Sequence, residues 1–331
     1  MKIGFSLQSS YCLPMEQALP LLRQAGFDAI SPVWQADSQM ETIANTAAKW
    51  GLTLQSLHGQ LRGIPYMWSR EGEARDKIIH ELMAGLSECE RYGFPIMVVH
   101  PWTGFDYVFD PETAHYGNFD RLVEQADKLG IRIAFENLEG VDFLYALLGR
   151  YPQAGFCWDS GHQQCYDPKN DFLGKFGHRL IMTHLNDNFG ITGTSLTGDD
   201  DLHLIPGDGI ADWQDNVRRL RQAQPQETLN FELKIRPRGD RCVKDLYSHL
   251  PLEAFFRQAA TKARAIPMLI GHKQRYSYEA HSILFSYPAP ACWTQRLQNK
   301  PSQKQRSHPD LCLRRSRHSG DPAGGGSQPG H

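Results

Sequence analysis

Four side chains of the kinds that bind metal ions stand at the ends of four successive β-rich segments. They are Glu136, Asp159, His184 and Glu232. Side chains alternate between the two faces of a strand, and in the segments ending near 136 and 232 the bulky apolar residues occupy one face. Both glutamates belong to the opposite face, which carries small or polar residues. The four side chains are therefore expected to point into one shared site.

Three carboxylates and an imidazole at one site require a compensating cation. Carboxylates are seldom buried without a partner, because removing water from them costs several kcal/mol. Two glutamates, an aspartate and a histidine suit a divalent ion, namely Mn²⁺, Mg²⁺, Co²⁺ or Zn²⁺, and oxygen-rich ligands favour the harder ions. The alternative for any one acid alone is a local ion pair with a neighbouring lysine or arginine.

Five further residues could bind metal or substrate near the same place. His58 and His100 end the third and fourth β-rich segments, and His162 stands three residues after the aspartate of the first set. Asp201 and His203 lie in a long loop after the seventh segment and could hold an additional metal ion. A single histidine is more often a core residue or a substrate contact than a ligand. Among these, His162 is the strongest candidate for a functional role, as a substrate donor or a support for the ligands.

The segments that must position these residues alternate between strand and helix patterns. Strands are predicted at 2–7, 28–34, 52–58, 96–100, 131–136, 154–159, 180–185 and 228–235. Helices are predicted at 15–24, 40–49, 74–92, 119–129, 143–150, 213–222 and 252–263, with a short one near 171–176. Eight strands alternating with helices predict an α/β chain folded as a (β/α)₈ TIM barrel over residues 1–265. A doubly wound sheet would need a glycine-rich loop after the first strand, and Leu7-Gln8-Ser9-Ser10 is not one.

Several motifs in this order resemble the sugar phosphate isomerase/epimerase family of the xylose-isomerase-like barrel superfamily. The motifs are Ala134-Phe135-Glu136-Asn137, Cys157-Trp158-Asp159-Ser160-Gly161-His162, Thr183-His184-Leu185-Asn186-Asp187-Asn188 and the run His203-Leu204-Ile205-Pro206-Gly207-Asp208-Gly209-Ile210-Ala211-Asp212-Trp213. The resemblance covers roughly residues 1–265. It implies one divalent metal ion held by the four residues of the first set. It also implies a small sugar or polyol substrate, with or without a phosphate group.

The implied reaction moves a proton next to a carbonyl group through a metal-stabilised enediolate. Glu136 and Glu232 are predicted to bind the metal and to transfer the proton. His58, His100 and His162 are predicted to contact the substrate. Lys234, two residues beyond Glu232 on the same face, is a further candidate for a phosphate or hydroxyl contact, although a solvated lysine explains it equally well.

A second reading comes from the AP endonucleases of the endonuclease IV type, which belong to the same superfamily and use three zinc ions. Every position of their ligand pattern has a counterpart here, including Asp159 with His162 and Asp201 with His203. The Pro-Gly-Asp-Gly-Ile-Ala-Asp-Trp stretch and the acidic body make nucleic acid an unlikely partner. A related metal-dependent dehydratase or lyase acting on polyols is a further alternative.

Composition separates the barrel region from the end of the chain. Residues 266–331 contain nine lysines and arginines against three acids, whereas the preceding residues contain 26 against 34. The end is rich in Pro, Ser, Gln and Gly, which predicts a disordered, low-complexity basic tail without a catalytic part. Neither a membrane span nor a signal peptide is recognisable, so the cytoplasm is the expected compartment. The oligomeric state stays open, since homo-oligomers are common among such barrels.

Overall fold

The structure is a computed structural model that describes residues 1–7, 13–36, 39–236, 246–271 and 283–284. Within them the strands are β1 (Lys2–Ser6), β2 (Ala29–Ser31), β3 (Thr53–Leu54), β4 (Leu57–His58), β5 (Ile96–Val99), β6 (Arg132–Glu136), β7 (Gly155–Asp159), β8 (Leu180–His184) and β9 (Thr228–Phe231). The helices are α1 (Met15–Ala25), α2 (Met40–Trp50), α3 (Glu73–Tyr92), α4 (Gly117–Lys128), α5 (Val141–Arg150), α6 (Ser160–Tyr166), α7 (Phe172–Phe176), α8 (Trp213–Gln222) and α9 (Leu252–Gly271). Short 3₁₀ helices cover Ile64–Trp68, Gly177–Arg179 and Gly198–Asp200.

The strands form one closed parallel barrel. Their hydrogen bonds define two sheets, with the orders β3-β2-β1-β9 and β4-β5-β6-β7-β8. Two isolated parallel bridges join the sheets, between Val33 and His58 and between Leu185 and Phe231. The amide of Leu185 donates to the carbonyl of Asn230 at 2.9 Å across the second junction. The predicted (β/α)₈ barrel is therefore confirmed.

Three predicted strands differ clearly from the observed ones. The strand predicted at 28–34 covers only Ala29–Ser31. The strand predicted at 52–58 is divided, because Thr53 and Leu54 pair with β2 whereas Leu57 and His58 pair with β5. The strand predicted at 228–235 ends at Phe231. Beyond it the chain leaves the barrel ladder, and the amide of Lys234 donates to the carbonyl of His203 at 2.9 Å.

Helix ends follow the sequence closely. α1 and α2 end at Gly26 and Gly51, whose φ values of 110° and 67° lie in the left-handed region where glycine is least strained. The amides of Gly26 and Phe27 bond back to the carbonyls of Arg23 and Leu22, and Phe27 enters the core. Helix α6, directly after β7, was not predicted. Asp159 begins it by accepting a hydrogen bond from the amide of His162.

The barrel interior beneath the strand ends is an apolar layer. It consists of Ile96, Val98, Ala134, Cys157 and Met182, all of them buried. Because these residues precede the strand ends on the inward face, the polar side chains at the carboxyl ends form the next layer above them. The barrel thus offers a rigid base to the residues at its mouth.

The end of the described chain extends past the predicted barrel boundary. α9 runs to Gly271, so the boundary at 265 falls inside a helix, and Leu284 is fully buried. The rest of the predicted basic tail, 272–282 and 285–331, lies outside the described residues, and its disorder stays a prediction. Among the residues described, no helix combines the length and the apolar character needed to cross a membrane.

Candidate metal centre

The four residues predicted as ligands meet at the carboxyl ends of the strands. Glu136, Asp159 and His184 are the last residues of β6, β7 and β8, and Glu232 directly follows β9. The three strand residues expose at most 1% of their surface. One ligand atom from each of the four residues lies within 4.8 Å of those from the other three. The structure therefore brings the predicted set together at one point.

Glu136 is the centre of the cluster. Its Oε1 lies 2.9 Å from Nδ1 of His184 and 3.3 Å from Nδ1 of His162. Its Oε2 lies 3.2 Å from Nε2 of His58 and 3.2 Å from Nε2 of His100. One fully buried carboxylate thus contacts four imidazole rings, which is an arrangement that can bridge two cations.

The orientation of two histidines indicates that cations belong here. Nδ1 of His58 lies 2.9 Å from the carbonyl oxygen of Gly59, and Nδ1 of His203 lies 3.0 Å from that of Glu232. A carbonyl oxygen only accepts, so in a neutral ring Nδ1 carries the proton and Nε2 carries a lone pair. Those Nε2 atoms face carboxylate oxygens, at 3.2 Å from Glu136 and 2.8 Å from Asp201. Two acceptors so close require a proton or a metal ion between them, and metal-bound histidines commonly have this arrangement.

A second group of ligand-type residues lies beside the first. The Oδ2 atom of Asp201 is 3.7 Å from Nε2 of His162 and 3.8 Å from Nζ of Lys234. His162, Asp201 and His203 place ligand atoms within 4.8 Å of one another, as do His58, His100 and Glu136. The predicted additional-metal residues therefore lie within the same site. Their donor set, like that of the first group, fits a divalent cation.

Burial and neighbouring charges shift the pKa values of the acids in the site in different directions. Burial alone would raise the pKa of Glu136, but His184 and the other histidines outweigh it and hold this pKa well below its ordinary value. The pKa of Asp201 is also lowered well below its usual value, because His203 and Lys234 outweigh burial. Burial raises the pKa of Asp159 to about 6, assisted by the charge of Glu136. Asp159 therefore gains most from a cation that neutralises it.

The pKa values of the histidines are also shifted in different directions. Burial lowers the pKa of His100. For His184, burial is outweighed by Cys157, Glu136 and Glu232, and its pKa is raised well above the usual value. Glu136 and Glu232 therefore favour the charged form of His184.

Two asparagines that the sequence analysis did not single out hold Asp159. Asn186 Nδ2 lies 3.1 Å from each carboxylate oxygen of Asp159. Asn137 donates to the carbonyl of Asp159 and accepts from its amide, both at 2.8 Å. Asn137 directly follows the end of β6, and Asn186 stands two residues after the end of β8. That position was the signal by which they could have been found.

Asp187 organises the loop that leads away from the site. It is fully buried, and its carboxylate accepts hydrogen bonds from the amides of Gly207 and Ala211 and from the indole of Trp213, at 2.9, 3.0 and 2.9 Å. Its amide and carbonyl pair with those of Leu204. Residues 201–208, called the arm below, are therefore tied to the segment that follows His184 at Leu204 and at Gly207.

A cavity of about 210 Å³ opens onto the cluster. It is lined by all four residues predicted to contact substrate, which are His58, His100, His162 and Lys234. Leu138, Glu139 and Tyr166 also line it, and the sequence analysis missed them. A larger cavity of about 330 Å³ lies among residues such as Gln55, Arg132 and Thr228 at the amino ends of the strands. None of the predicted ligands lines that cavity, so the smaller one is the candidate substrate site.

Three tryptophans that follow the second, third and fourth β-rich segments serve in packing. Trp34 is buried, Trp68 packs 4.9 Å from the ring of Phe143, and Trp102 stacks on Phe143 at 4.3 Å. None of them is among the residues lining the smaller cavity. The apolar part of that lining comes from smaller side chains and Tyr166.

Comparison with known proteins agrees with the barrel fold. The model of a family described as xylose isomerase-like TIM barrel matches residues 19–250. A protein from Sinorhizobium fredii (strain NBRC 101917 / NGR234), known as uncharacterized protein y4fM, is 28% identical, and the match covers 66% of this chain and 80% of that protein.

Solved structures share the fold at low sequence identity. A fusion of a xylose isomerase-like TIM barrel with 4-hydroxyphenylpyruvate dioxygenase has a TM-score of 0.60 at 17% identity. The match covers 86% of this chain but only 45% of the fusion. The IOLI protein with a binding zinc atom has a TM-score of 0.61 at 17% identity, with 82% of this chain and 98% of that one covered. The 3-keto-D-glucoside 4-epimerase YcjR from E. coli has a TM-score of 0.57 at 16% identity, with 78% and 99% covered.

Proposed function

We propose that this chain, which belongs to the xylose isomerase-like TIM barrel family, is a metal-dependent isomerase or epimerase of a small sugar or polyol. The observation that carries the proposal is the position of two carboxylates around one imidazole nitrogen. Nδ1 of His184 lies 2.9 Å from Glu136 and 3.1 Å from Glu232. A divalent ion held by Glu136, Asp159, His184 and Glu232 would stabilise negative charge on substrate oxygens.

The protein's own residues supply the proton transfer. One of the two glutamates takes a proton from the carbon next to a carbonyl group, the electron pair of the C–H bond forms a C=C bond, and the π pair of the carbonyl group moves to its oxygen. An epimerase returns a proton to the same carbon on the opposite face, for which the second glutamate is available. An isomerase returns the proton to the former carbonyl carbon, and the proton of the neighbouring hydroxyl group passes to the former carbonyl oxygen. In both cases atoms and charge balance without another reactant.

The lining of the cavity supports a hydroxyl-rich substrate. His58, His100, His162 and Lys234 can donate or accept hydrogen bonds, and Leu138 and Tyr166 offer an apolar face. Solved structures of this fold include proteins described as D-psicose 3-epimerase and L-ribulose 3-epimerase. The proposal therefore concerns ketoses and related polyols, with or without a phosphate group.

Solvent deuterium incorporation tests this proposal. The metal-loaded full chain is incubated in D₂O with a panel of ketoses, polyols and their phosphates, and carbon-bound deuterium is measured by NMR. We expect incorporation with at least one substrate. We also expect Glu232→Gln to reduce its rate by about 10²–10⁴-fold, the usual contribution of a positioned acid–base group. Glu124→Gln, at an exposed position of α4, is the matched control. Unchanged deuterium incorporation by Glu232→Gln would show that Glu232 does not transfer the proton. If no compound of the panel incorporates deuterium, the proposed isomerase or epimerase reaction is contradicted.

A second candidate function is phosphodiester hydrolysis with three metal ions. The observation that favours it is the presence, among the described residues, of four overlapping ligand groups, three of which contain Glu136. Zinc analysis of the purified protein separates the candidates, because one bound ion favours the isomerase and three favour the nuclease. Cleavage of an oligonucleotide with an abasic site would support the nuclease and exclude the first proposal as the main activity.

A further inference from the structure

The arm that carries Asp201 and His203 has an unusual backbone at the residue that faces the site. His203 has a φ of 52°, the only positive value among non-glycine residues in the described part of the chain. A residue other than glycine keeps this conformation only where the surrounding contacts enforce it. Next to it, Leu204 exchanges backbone hydrogen bonds with Asp187, at 2.9 and 2.8 Å. The direction of the His203 ring thus depends on how the rest of the arm is held.

The far end of the arm is held by two buried side chains from the C-terminal part of the barrel. The hydroxyl of Tyr247 donates to Oδ2 of Asp208 at 2.7 Å and accepts from the amide of Ile205 at 3.0 Å. The ammonium group of Lys262, in α9, forms an ion pair with Oδ1 of Asp208. The side chains of Lys262 and Asp208 expose only 3% and 8% of their surface. A buried pair of this kind is costly to form, and breaking it leaves an uncompensated charge.

A third contact with the arm comes from a residue that follows α9 in the chain. Gly207 has a φ of 82°, and a Cβ atom at this position would collide with the carbonyl group of Leu284. Leu284 itself is fully buried. The backbone of residue 284 therefore lies directly against the arm, although it belongs to the segment predicted as a tail.

We propose that Tyr247, Lys262 and Leu284 form a C-terminal clamp that positions the arm so that Asp201 and His203 face His162. The three are positioning residues, because they act through the arm rather than through contact with a substrate. Tyr247 and Lys262 both contact the carboxylate of Asp208. Leu284 lies against Gly207, where the absence of a side chain allows the two backbones to come close. This proposal rests on the proposed function in one respect, namely that Asp201 and His203 belong to the site of the proposed reaction. It assigns to the segment beyond residue 265 a part in shaping the site.

Hydrogen exchange in the full-length protein tests the clamp without a substrate. Exchange is followed by mass spectrometry in peptides covering 202–210 and, for comparison, in peptides covering β7. We expect Lys262→Met to accelerate exchange of the arm at least tenfold and to leave β7 unchanged. Lys262→Arg, which keeps a cation at this position, should restore much of the protection. Arg257→Met is the matched control, because Arg257 lies in the same helix but forms an exposed ion pair with Glu253.

Two further variants keep the test decisive. If Lys262→Met does not fold, Tyr247→Phe removes only the hydroxyl that joins Ile205 to Asp208, and Gly207→Ala disturbs the contact with Leu284. Unchanged exchange of the arm in these folded variants would overturn the clamp. If the arm loosens in a protein that shows no isomerase activity, the clamp stands and the proposed function falls. If the isomerase activity is present and the arm does not loosen, the proposed function stands and the clamp is wrong.

Discussion

The pKa of Asp159 depends on a few neighbouring residues, each of which can be mutated separately. Its carboxylate accepts from the amide of His162 at 2.7 Å and from Asn186 Nδ2 at 3.1 Å for each oxygen. Burial nevertheless raises the pKa of this acid to about 6. Hydrogen bonds from two donors are thus insufficient compensation for the lost water, which is why a cation at this position is chemically reasonable.

Asn186→Asp should weaken metal binding by about 10–100-fold, the usual effect of losing a group that orients a ligand. An ionised aspartate has no proton to donate, so both oxygens of Asp159 would lose the hydrogen bonds that hold their orientation. Zinc affinity measured by competition with a chelating dye checks the prediction. Asn170→Asp is a suitable control, because Asn170 bonds Tyr145 and Lys175 away from the metal centre. Equal affinities of the wild type and Asn186→Asp would contradict the role of Asn186.

At the scale of the elements, the beginning of α8 fixes the end of the loop that contains the arm. Asp212 accepts a hydrogen bond from the amide of Asp215 at 3.0 Å and so satisfies one of the free donors of the first turn. Trp213, the first residue of α8, donates to Asp187. The helix start and the loop are therefore anchored to neighbouring residues.

Asp212→Ala should lower the free energy of unfolding by about 1 kcal/mol, because the first turn of α8 loses its capping acceptor. Urea denaturation followed by circular dichroism measures the change. Asp212→Asn retains an acceptor and should have a much smaller effect. A loss of stability that is equal for both variants would show that charge, rather than capping, determines the contribution of Asp212.

At the scale of the whole molecule, the first and last parts of the described barrel are joined by aromatic packing. β1 pairs with β9, and the ring of Phe5 contacts those of Phe27 and Phe256 edge-on at 5.0 and 5.3 Å. All three rings are fully buried. α9 therefore packs against β1 on the outside of the barrel, next to the β1–β9 junction.

Phe256→Ala should reduce the free energy of unfolding by about 3–5 kcal/mol, because a large buried ring leaves a cavity that its rigid neighbours fill only partly. Thermal and urea unfolding would measure the loss. Met268→Ala provides the comparison in the same helix, since Met268 exposes 38% of its surface. If both variants lose similar stability, α9 does not contribute through the Phe5 contact.

The sequence alone determined most of the elements and predicted the four candidate ligands that meet at the carboxyl ends of the strands. Strand and helix patterns are local, so alternation with period two located the inward-facing glutamate at 136, and glycines marked the ends of α1 and α2. The same local pattern could not show that the third strand divides, because the change of partner from β2 to β5 occurs between neighbouring residues. α6 was missed because its start depends on Asp159, which the pattern identified only as the end of a strand.

The tertiary structure decided which distant residues meet. Asp208 contacts Tyr247 and Lys262, 39 and 54 residues further along the chain, and no periodicity in the sequence indicates these contacts. Likewise, Nδ1 of His58 and of His203 contact backbone carbonyls and their Nε2 atoms face carboxylates, an arrangement that only the closed barrel brings together. Sequence patterns record which face of a strand a side chain occupies. Barrel closure alone fixes the distances between those side chains, and with them the number of cations that the site can hold.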